Sequence, residues 1–156
     1  MDGLLEVARG KVGPEAIDYN GHFNVVHFRA AFDLGTDGLL AHLRLGPDDY
    51  NARTGRTLMV VEEHTRYHAE LLEGEGWRVL AQVVGHGAKT LHYVLLLHRL
   101  DSGGLAASHE ELALHVDLGR RKAVPLPPEA VAAIEALQAA QAELPAPPDL
   151  GRVISH

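Results

Sequence analysis

The sequence predicts an α+β fold in which one long helix packs against a curved antiparallel sheet. One apolar-rich stretch near the N-terminus has helical spacing, a series of β-rich segments divided by glycine turns follows it, and a second helical stretch lies near the C-terminus. Strands that are segregated from a single long helix are typical of an α+β layer structure. The chain has 156 residues, which suits one domain with its own core. We expect a single domain over residues 1–144 and a tail at 145–156.

The first elements are predicted from apolar spacing and turn signals. Residues 5–12 form a short strand that ends before Gly13-Pro14. Residues 25–43 have apolar side chains three or four positions apart, which predicts a helix that begins at Asn24 or Val25. Because the flanks of this helix are also largely apolar, we expect it to be buried on most sides. Residues 46–49, Gly-Pro-Asp-Asp, begin a turn or a short helical piece.

A strand-rich region follows the long helix. The predicted strands are residues 57–72, 77–84, 89–100 and 105–118. Each break between them carries glycine, which indicates an antiparallel meander. The segment Tyr93–Leu97 is apolar on both faces, so it belongs in the sheet interior or at a subunit contact. A last helix is predicted at about residues 128–144, between Pro128 and Pro145. A long helix wrapped by such a sheet is the hot-dog arrangement.

Composition excludes several classes of function. A formal charge of −7 and an aromatic content of 5% argue against binding to nucleic acid, which needs basic surfaces and stacking rings. The absence of cysteine excludes disulfides, thiolate metal sites and a cysteine nucleophile. No apolar run reaches the roughly 20 residues of a membrane span, and the N-terminal residues lack the layout of a secretory signal. We therefore expect a cytoplasmic protein with neither a nucleic acid nor a membrane as partner.

The polar stretch DYNGHFN, residues 18–24, is the leading candidate for chemistry. Gly21 permits a backbone conformation with positive φ or a close approach to a ligand. Asn24 is a good N-cap for the long helix, and the first N–H groups of that helix can stabilise an oxyanion. Asp18 supplies a carboxylate that could act as base or nucleophile. The alternative interpretation is an ordinary polar turn, in which Asp18 accepts hydrogen bonds from neighbouring N–H groups.

DYNGHFN, the following helix and the segment VVEEHTRY together resemble the hot-dog acyl-CoA thioesterases of the 4-hydroxybenzoyl-CoA type. The resemblance covers roughly residues 12–118, and its details are closest to the betainyl-CoA thioesterases of carnitine breakdown. It implies that Asp18 is catalytic and that the backbone N–H of Val25 contacts the oxyanion. His22 and Asn24 would help to shape the site. Departures from the family pattern are found at Phe23, at His27-Phe28 and at His68, and they affect the expected acyl specificity.

The resemblance also implies which residues bind the substrate. The strand that carries Glu63, His64 and Tyr67 would line an acyl pocket at a dimer interface, whereas the alternative is an edge strand with solvated charges. A trimethylammonium group on the acyl chain would need an aromatic face or a carboxylate, and the candidates are Phe23, Tyr67 and Glu63. The candidates for contacts with the phosphates of coenzyme A are Arg66, Lys89 and Arg99. No metal is expected, because HEELALH does not have the spacing of HExxH.

We therefore expect a homodimer or dimer of dimers that hydrolyses a small-molecule acyl-CoA to a small polar acid, with betaine as the candidate acid. Coenzyme A is part of the substrate, and no other cofactor is expected. Asp18 could be the base or the nucleophile. One alternative is a hydratase on the same fold. Those enzymes share an aspartate with a histidine five residues later, whereas His22 follows Asp18 by four residues. A second alternative is a hot-dog domain that binds acyl-CoA without hydrolysing it.

Overall fold

The structure, a computed structural model, describes residues 3–154. Its strands are β1 (Leu5–Lys11), β2 (Arg56–Tyr67), β3 (Gly76–His86), β4 (Thr90–Arg99), β5 (Leu105–Asp117) and β6 (Lys122–Ala123). Its α-helices are α1 (Val25–His42), the single turn α2 (Ala52–Thr54) and α3 (Pro128–Ala140). A short helical segment, Pro47–Asn51, precedes α2. The order of long helix, strands and late helix is the predicted one.

The strands form one antiparallel sheet in the order β1-β3-β4-β5-β2, with β6 paired to β5. Register shifts interrupt the pairing in β1, β2 and β3, and such bulges increase the local twist and bend of a strand. Helix α1 packs on the inner face of the curved sheet, against β1, β3 and β4. The α+β prediction is confirmed, but the predicted meander holds only for β3, β4 and β5, because β2 pairs with β5 rather than with β3.

Two glycines bring α1 unusually close to the sheet. A Cβ atom added to Gly38 would lie 2.1 Å from the carbonyl oxygen of Val7, and one added to Gly35 would lie 2.8 Å from the side chain of Val79. Glycine normally weakens the interior of a helix. At these two positions it permits the contact that holds α1 against β1 and β3.

The prediction that α1 is buried on most sides is wrong for the isolated chain. Phe28, Phe32 and Leu39 are buried against the sheet, whereas Val26 and Leu34 on the opposite side are exposed. The helix therefore has one buried face and one solvent-facing apolar stripe. Among residues 3–154, none of the helices is both long enough and apolar enough to cross a membrane.

The predicted strand at 57–72 ends at Tyr67 instead. Beyond it, the backbone N–H groups of His68 and Ala69 both donate to the carbonyl of Ala106. The buried Leu71 then accepts a hydrogen bond from the N–H of Phe23 at 2.7 Å. The regular pairing with β5 therefore ends in a shared acceptor at Ala106, and Leu71 supports the polar loop instead.

The C-terminal part of the chain covers a region of the sheet that β1 does not reach. Helix α3 ends at Ala140 rather than near residue 144. The side chain of Gln141 accepts from the N–H of Val83 at 2.9 Å and donates to the carbonyl of Ala81 at 2.9 Å. An amide side chain can thus replace a neighbouring strand, because it carries one acceptor and two donors.

The segment Tyr93–Leu97 lies in the central strand β4 and is buried on both faces within the single chain. On the outer face, Leu80, Val94 and Leu96 form a small apolar cluster. Leu4 and residues 144–148 line a cavity together with Leu96 on this face. The segment Tyr93–Leu97 is therefore apolar on both faces because both faces are covered within the chain, and this pattern does not require a second subunit.

We predict that Gly38→Ala destabilises the protein by about 1–3 kcal/mol, the range for overpacking in a tight contact. The new methyl group would press on a backbone carbonyl, which cannot rotate away, and this cost exceeds the gain in helix propensity of roughly 1 kcal/mol. Urea unfolding of the variant and the parent measures the difference. Gly35→Ala is the matched comparison, because its nearest neighbour is the movable side chain of Val79. Equal or greater stability of Gly38→Ala would contradict the close contact.

Candidate active site

The loop that carries Asp18 is a tight turn with a fixed backbone. The N–H of Asp18 donates to the carbonyl of His22 at 3.1 Å, and the N–H of Gly21 donates to the carbonyl of Asp18 at 3.0 Å. The N–H of Asn20 donates to Oδ1 of Asp18 at 2.8 Å. Gly21 has φ of +84°, a conformation that side chains other than glycine rarely adopt. The hydrogen bonds of an ordinary polar turn are therefore present. They orient the carboxylate of Asp18 and are compatible with a catalytic role for it.

Helix α1 begins directly after this loop. Asn24 is the N-cap, and its side-chain oxygen accepts from the N–H of Val26 at 2.9 Å. The N–H of Val25, at the first helical position, has no intrahelical acceptor, and no described residue accepts a hydrogen bond from it. This donor lies at the positive end of the helix dipole. It is suited to hold an oxygen atom that gains negative charge during a reaction.

Asp18 and Val25 lie in one groove of about 560 Å³. The aromatic side chains of Tyr19, Phe28 and Tyr67 also contribute to its walls. Its other lining residues are Asn20, His22, Phe23, His68, Ala69 and Glu70. Asp18, the first residue of α1 and several aromatic side chains thus line one space. A polar pair set in an apolar groove is the usual composition of a small-molecule site.

The aromatic residues of the groove differ in how much of each side chain is exposed to solvent. Phe23 and Phe28 are almost fully buried, and their rings pack edge to face at 4.8 Å between centroids. The half-exposed Tyr67 packs against Phe28 at 5.2 Å. Tyr19, next to Asp18, is 97% exposed. Phe23 therefore serves mainly as core, whereas the two tyrosine rings remain open to a ligand.

A buried polar network lies between α1 and the sheet, and the helix contributes to it from Arg29 and Thr36, one and three turns beyond Val25. Its centre is Glu111, which is fully buried. The carboxylate accepts hydrogen bonds from Tyr93 and Thr36, the latter at 2.8 Å. Nε2 of His109 lies 2.9 Å from the other carboxylate oxygen, so it must carry the proton of this hydrogen bond. The hydroxyl of Thr65 lies 2.6 Å from Nδ1 of the same ring.

These contacts keep Glu111 ionised. Burial by itself would raise the pKa of Glu111, but hydrogen bonds from His109, Tyr93 and Thr36 and the charge of His109 lower this pKa below its ordinary value. Burial, followed by the charge and the hydrogen bond of Glu111, raises the pKa of Tyr93 far above its usual range. Tyr93 therefore donates to the carboxylate as a neutral phenol. A buried carboxylate with several donors is stable in its charged form.

Arg29 is the cation that faces this network. Its guanidinium lies 3.4 Å from Glu111, 3.1 Å from Glu63 and 3.7 Å from Asp33. Glu63, His109 and Glu111 also have the composition of a metal site, with ligand atoms within 4.8 Å of one another. The guanidinium already places positive charge between the two glutamates. Because three carboxylates surround one arginine, the cluster keeps an excess of negative charge.

The other residues predicted to bind the substrate do not line the groove, and of them only Arg99 contacts a residue of its wall. His64 is on the outer face of the sheet, near His92 and Glu110. Arg66 forms an ion pair with Asp149 of the tail. Arg99 donates to the carbonyl of Glu70, which places it next to the groove wall. Lys89 precedes the first residue of β4 and Arg99 is its last, so a ten-residue strand of about 30 Å separates them.

Ser108, His68 and Asp149 lie together on the outer face without forming a nucleophilic triad. Nε2 of His68 is 3.0 Å from the hydroxyl of Ser108 and 3.0 Å from the carboxylate of Asp149. The hydroxyl also donates directly to Asp149 at 3.1 Å. In a triad the two nitrogens of the imidazole contact different partners. Here one nitrogen contacts both, so the arrangement ties the tail to the sheet.

The sequence interpretation missed Arg29, Thr36, Tyr93, His109 and Glu111 as parts of one cluster. A signal was present in β5, where His109, Glu111 and Ala113 alternate onto one face. Two polar side chains on a face that otherwise packs on the core are unusual unless they are hydrogen-bonded. The partners of Glu111 come from α1 and β4, which the spacing within β5 does not reveal.

The fold agrees with comparisons to known proteins. A model of the thioesterase-like superfamily matches residues 12–134. A betainyl-CoA thioesterase from Pseudomonas aeruginosa is 36% identical over 154 residues, covering 99% of this chain and 96% of that protein. An L-carnitine dehydrogenase/betainyl-CoA thioesterase from Rhizobium meliloti is 31% identical, and the match covers 99% of this chain and 31% of that longer protein.

A solved structure agrees with these relatives. A hypothetical protein from Staphylococcus aureus in complex with CoA superposes with a TM-score of 0.88 at 25% identity, covering 98% of this chain and 95% of that chain. The family match spans the Asp18 loop, α1 and strands β2 to β6, whereas β1 precedes it. The chain therefore belongs to the thioesterase-like superfamily and has the hot-dog fold.

Proposed function

We propose that this thioesterase hydrolyses betainyl-CoA in the groove between the Asp18 loop and β2. The observation that carries the proposal is the convergence of the Asp18 carboxylate and the free N–H of Val25 on one groove. A base or nucleophile beside an oxyanion donor is the minimum set for acyl transfer to water. The betainyl group is supported by the names of two relatives, which match 99% of this chain.

In the base-catalysed route, Asp18 accepts a proton from a water molecule as the water oxygen attacks the thioester carbonyl carbon. The carbonyl oxygen becomes an oxyanion and accepts a hydrogen bond from Val25, a contact worth about 3 kcal/mol in comparable sites. The carbon–sulfur bond then breaks, CoA leaves as a thiolate, and the proton held by Asp18 returns to the products. The reaction consumes one water and transfers no electrons, so we propose no cofactor.

In the nucleophilic route, a carboxylate oxygen of Asp18 attacks the same carbonyl carbon. Expulsion of CoA thiolate leaves a mixed anhydride between Asp18 and the acyl group, and water then hydrolyses this anhydride. Val25 stabilises the oxyanion of the first step, and that of the second step when water attacks the acyl carbon of the anhydride. A single turnover in ¹⁸O-labelled water tests for attack on the aspartyl carbon: the acid then receives an unlabelled Asp18 oxygen and the label stays on Asp18. In the base route, and in the nucleophilic route with water attack on the acyl carbon, the label enters the acid and Asp18 stays unlabelled.

The charge around the groove supports a cationic acyl group. Arg29 is outnumbered by Asp33, Glu63 and Glu111, so the carboxylates exceed Arg29 by two charges when His109 is neutral and by one when His109 is protonated. Arg29 follows Val25 by one helical turn, about 6 Å along the axis, and its side chain extends from there to Glu63 and Glu111. The excess negative charge therefore lies beyond Arg29, and it would act on a trimethylammonium near Val25 as a screened, long-range attraction.

We further propose that the chain forms a dimer through the open edge of β2. This strand pairs with β5 on one side, and no described strand covers its other side. Met59 and Val61 on β2 are more than half exposed, as are Val26 and Leu34 on α1. A long open edge with apolar side chains is a site for pairing with another chain. A partner there would also close the groove between α1 and β2.

We predict that Asp18→Asn lowers kcat by about 10²–10⁴-fold while the fold is retained. The amide can still accept the hydrogen bond from the N–H of Asn20, but it can neither take a proton from water nor form the anhydride. Steady-state hydrolysis of betainyl-CoA measures the loss, and circular dichroism checks the fold. Glu15→Gln, an exposed change in the same segment, is the control. A kcat of Asp18→Asn within a few-fold of the parent excludes the proposed mechanism.

We predict that kcat/KM is higher for betainyl-CoA than for 3,3-dimethylbutyryl-CoA, which has the same shape and no charge. We expect Glu63→Gln to narrow this ratio by about 1 kcal/mol, roughly five-fold, since Glu63 is partly exposed and its charge is screened. Glu62→Gln, one residue earlier and on the other face of β2, should leave the ratio unchanged. Equal kcat/KM for both substrates in the parent would refute the betaine assignment and leave thioester hydrolysis intact.

We predict that the protein sediments as a dimer at micromolar concentration, with twice the 16.9 kDa mass of the chain. The double variant Met59→Lys, Val61→Lys places charges on the open edge and should shift the population to monomer. The control Glu73→Lys alters an exposed turn away from β2 and should not. A parent that sediments as a 16.9 kDa species would contradict the proposed interface.

A further inference from the structure

Tyr19 is the most exposed large side chain of the groove, and the fold does not explain its exposure. Its side chain is 97% exposed, although tyrosine usually buries its ring and leaves only the hydroxyl in water. Within residues 3–154 the ring contacts no other aromatic side chain. Tyr19 nevertheless lines the same groove as Asp18 and Val25. An aromatic ring in this position is available to a ligand.

The backbone that carries Tyr19 is held in place. The turn around it is closed by the hydrogen bonds between Asp18 and His22 and between Gly21 and Asp18. The N–H of Asn20, the following residue, is bound to the carboxylate of Asp18. The Cα of Tyr19 is therefore fixed next to the reactive carboxylate, while the ring remains free to rotate about its side-chain bonds. Binding of a ligand to this ring therefore requires no loss of backbone entropy at Tyr19.

The chemistry of the proposed substrate places its positive charge next to Asp18. In a betainyl thioester the quaternary nitrogen is separated from the reacting carbonyl carbon by a single methylene. A group that contacts the trimethylammonium must therefore lie beside the catalytic carboxylate. The cluster of Arg29, Glu63 and Glu111 begins about 6 Å further along α1. That cluster can attract the cation, but the contact itself has to come from a nearer residue.

Of the aromatic side chains in the groove, Tyr19 best meets this requirement. Phe23 and Phe28 are almost completely buried and pack on each other, and Tyr67 packs one edge on Phe28. Tyr19 follows Asp18 directly, and both faces of its ring are accessible. A quaternary ammonium has no N–H to donate, so its recognition depends on aromatic faces and negative charge.

We propose that Tyr19 is a specificity-determining residue whose ring closes over the quaternary ammonium of the bound acyl group, opposite Tyr67. The inference rests on the proposed cationic substrate and adds the side chain that contacts the cation. It assigns a role to an exposed residue that contributes little to the core. Substitutions of Tyr19 should therefore leave the unfolding transition unchanged, so their effects on activity can be separated from effects on stability.

The test compares Tyr19→Phe and Tyr19→Leu with the parent on betainyl-CoA and its neutral isostere, 3,3-dimethylbutyryl-CoA. Phenylalanine keeps the aromatic face, so we expect the ratio of kcat/KM values to stay within about two-fold of the parent. Leucine keeps apolar bulk without that face, and we expect the ratio to fall by about 3- to 30-fold. The kcat/KM of Tyr19→Leu for the neutral isostere should stay near that of the parent.

An equal loss of kcat/KM on both substrates in Tyr19→Leu would overturn the proposal, because the ring would then contact coenzyme A or assist the hydrolysis of any thioester. An unchanged ratio in Tyr19→Leu would overturn it too, as would a shift of the variant to monomer in sedimentation. A parent that cleaves both thioesters equally well would refute the cation contact while preserving thioesterase activity. Each variant is assayed only after its thermal unfolding has been compared with that of the parent.

A binding measurement tests the contact without turnover. Glycine betaine and 3,3-dimethylbutyrate are the two product acids, and they differ only in the charge at the branched centre. With ring-labelled tyrosine, we expect glycine betaine to shift the NMR signal of Tyr19 and 3,3-dimethylbutyrate to shift it less. Tyr19→Phe identifies the signal by its loss. Equal shifts with both acids, or none with glycine betaine, would overturn the proposal even if betainyl-CoA proves to be the substrate.

Discussion

The buried carboxylate of Glu111 fixes the position of α1 on the sheet, and the groove depends on that position. Glu111 on β5 contacts Thr36 and Arg29, both on α1, and Tyr93 on β4. An ionised carboxylate in the core is stable only when it is hydrogen-bonded or paired, so these contacts are strongly directional. They fix the helix along its axis, while Gly35 and Gly38 set its close approach to the sheet. The N–H of Val25 is held at one end of this fixed helix.

In the proposed mechanism, the reacting atoms are separated from the excess negative charge. The Asp18 turn and the first residue of α1 would hold the reactive carbonyl, and the two residues that join them, Phe23 and Asn24, donate backbone hydrogen bonds to Leu71 and Ala16. The excess negative charge lies further along α1, where Arg29 is shared between three acids. This separation lets the acyl specificity change through residues of the groove wall without altering the carboxylate and the oxyanion donor.

The chain covers its outer face and its groove side to different extents. The outer face is covered within the chain by Leu4 and by residues 144–148, and the tail is tied down through Asp149. The open edge of β2 and the exposed stripe of α1 lie on the side of the groove. Burial of this second region would complete the groove, whereas the outer face needs no further cover.

The sequence by itself determined the order of the elements, the β3-β4-β5 part of the antiparallel meander, the N-cap at Asn24 and the turn that carries Asp18. These features depend on residues close together in the chain, through periodicity, glycine conformation and side-chain caps. Only the tertiary structure decided that β2 ends at Tyr67, that β2 pairs with β5 rather than with β3, and that Glu63 pairs with Arg29. It also decided that Tyr19 is exposed and that one face of α1 is open. Such contacts join residues far apart in the chain, so they depend on strand register and on the placement of α1, neither of which local spacing encodes.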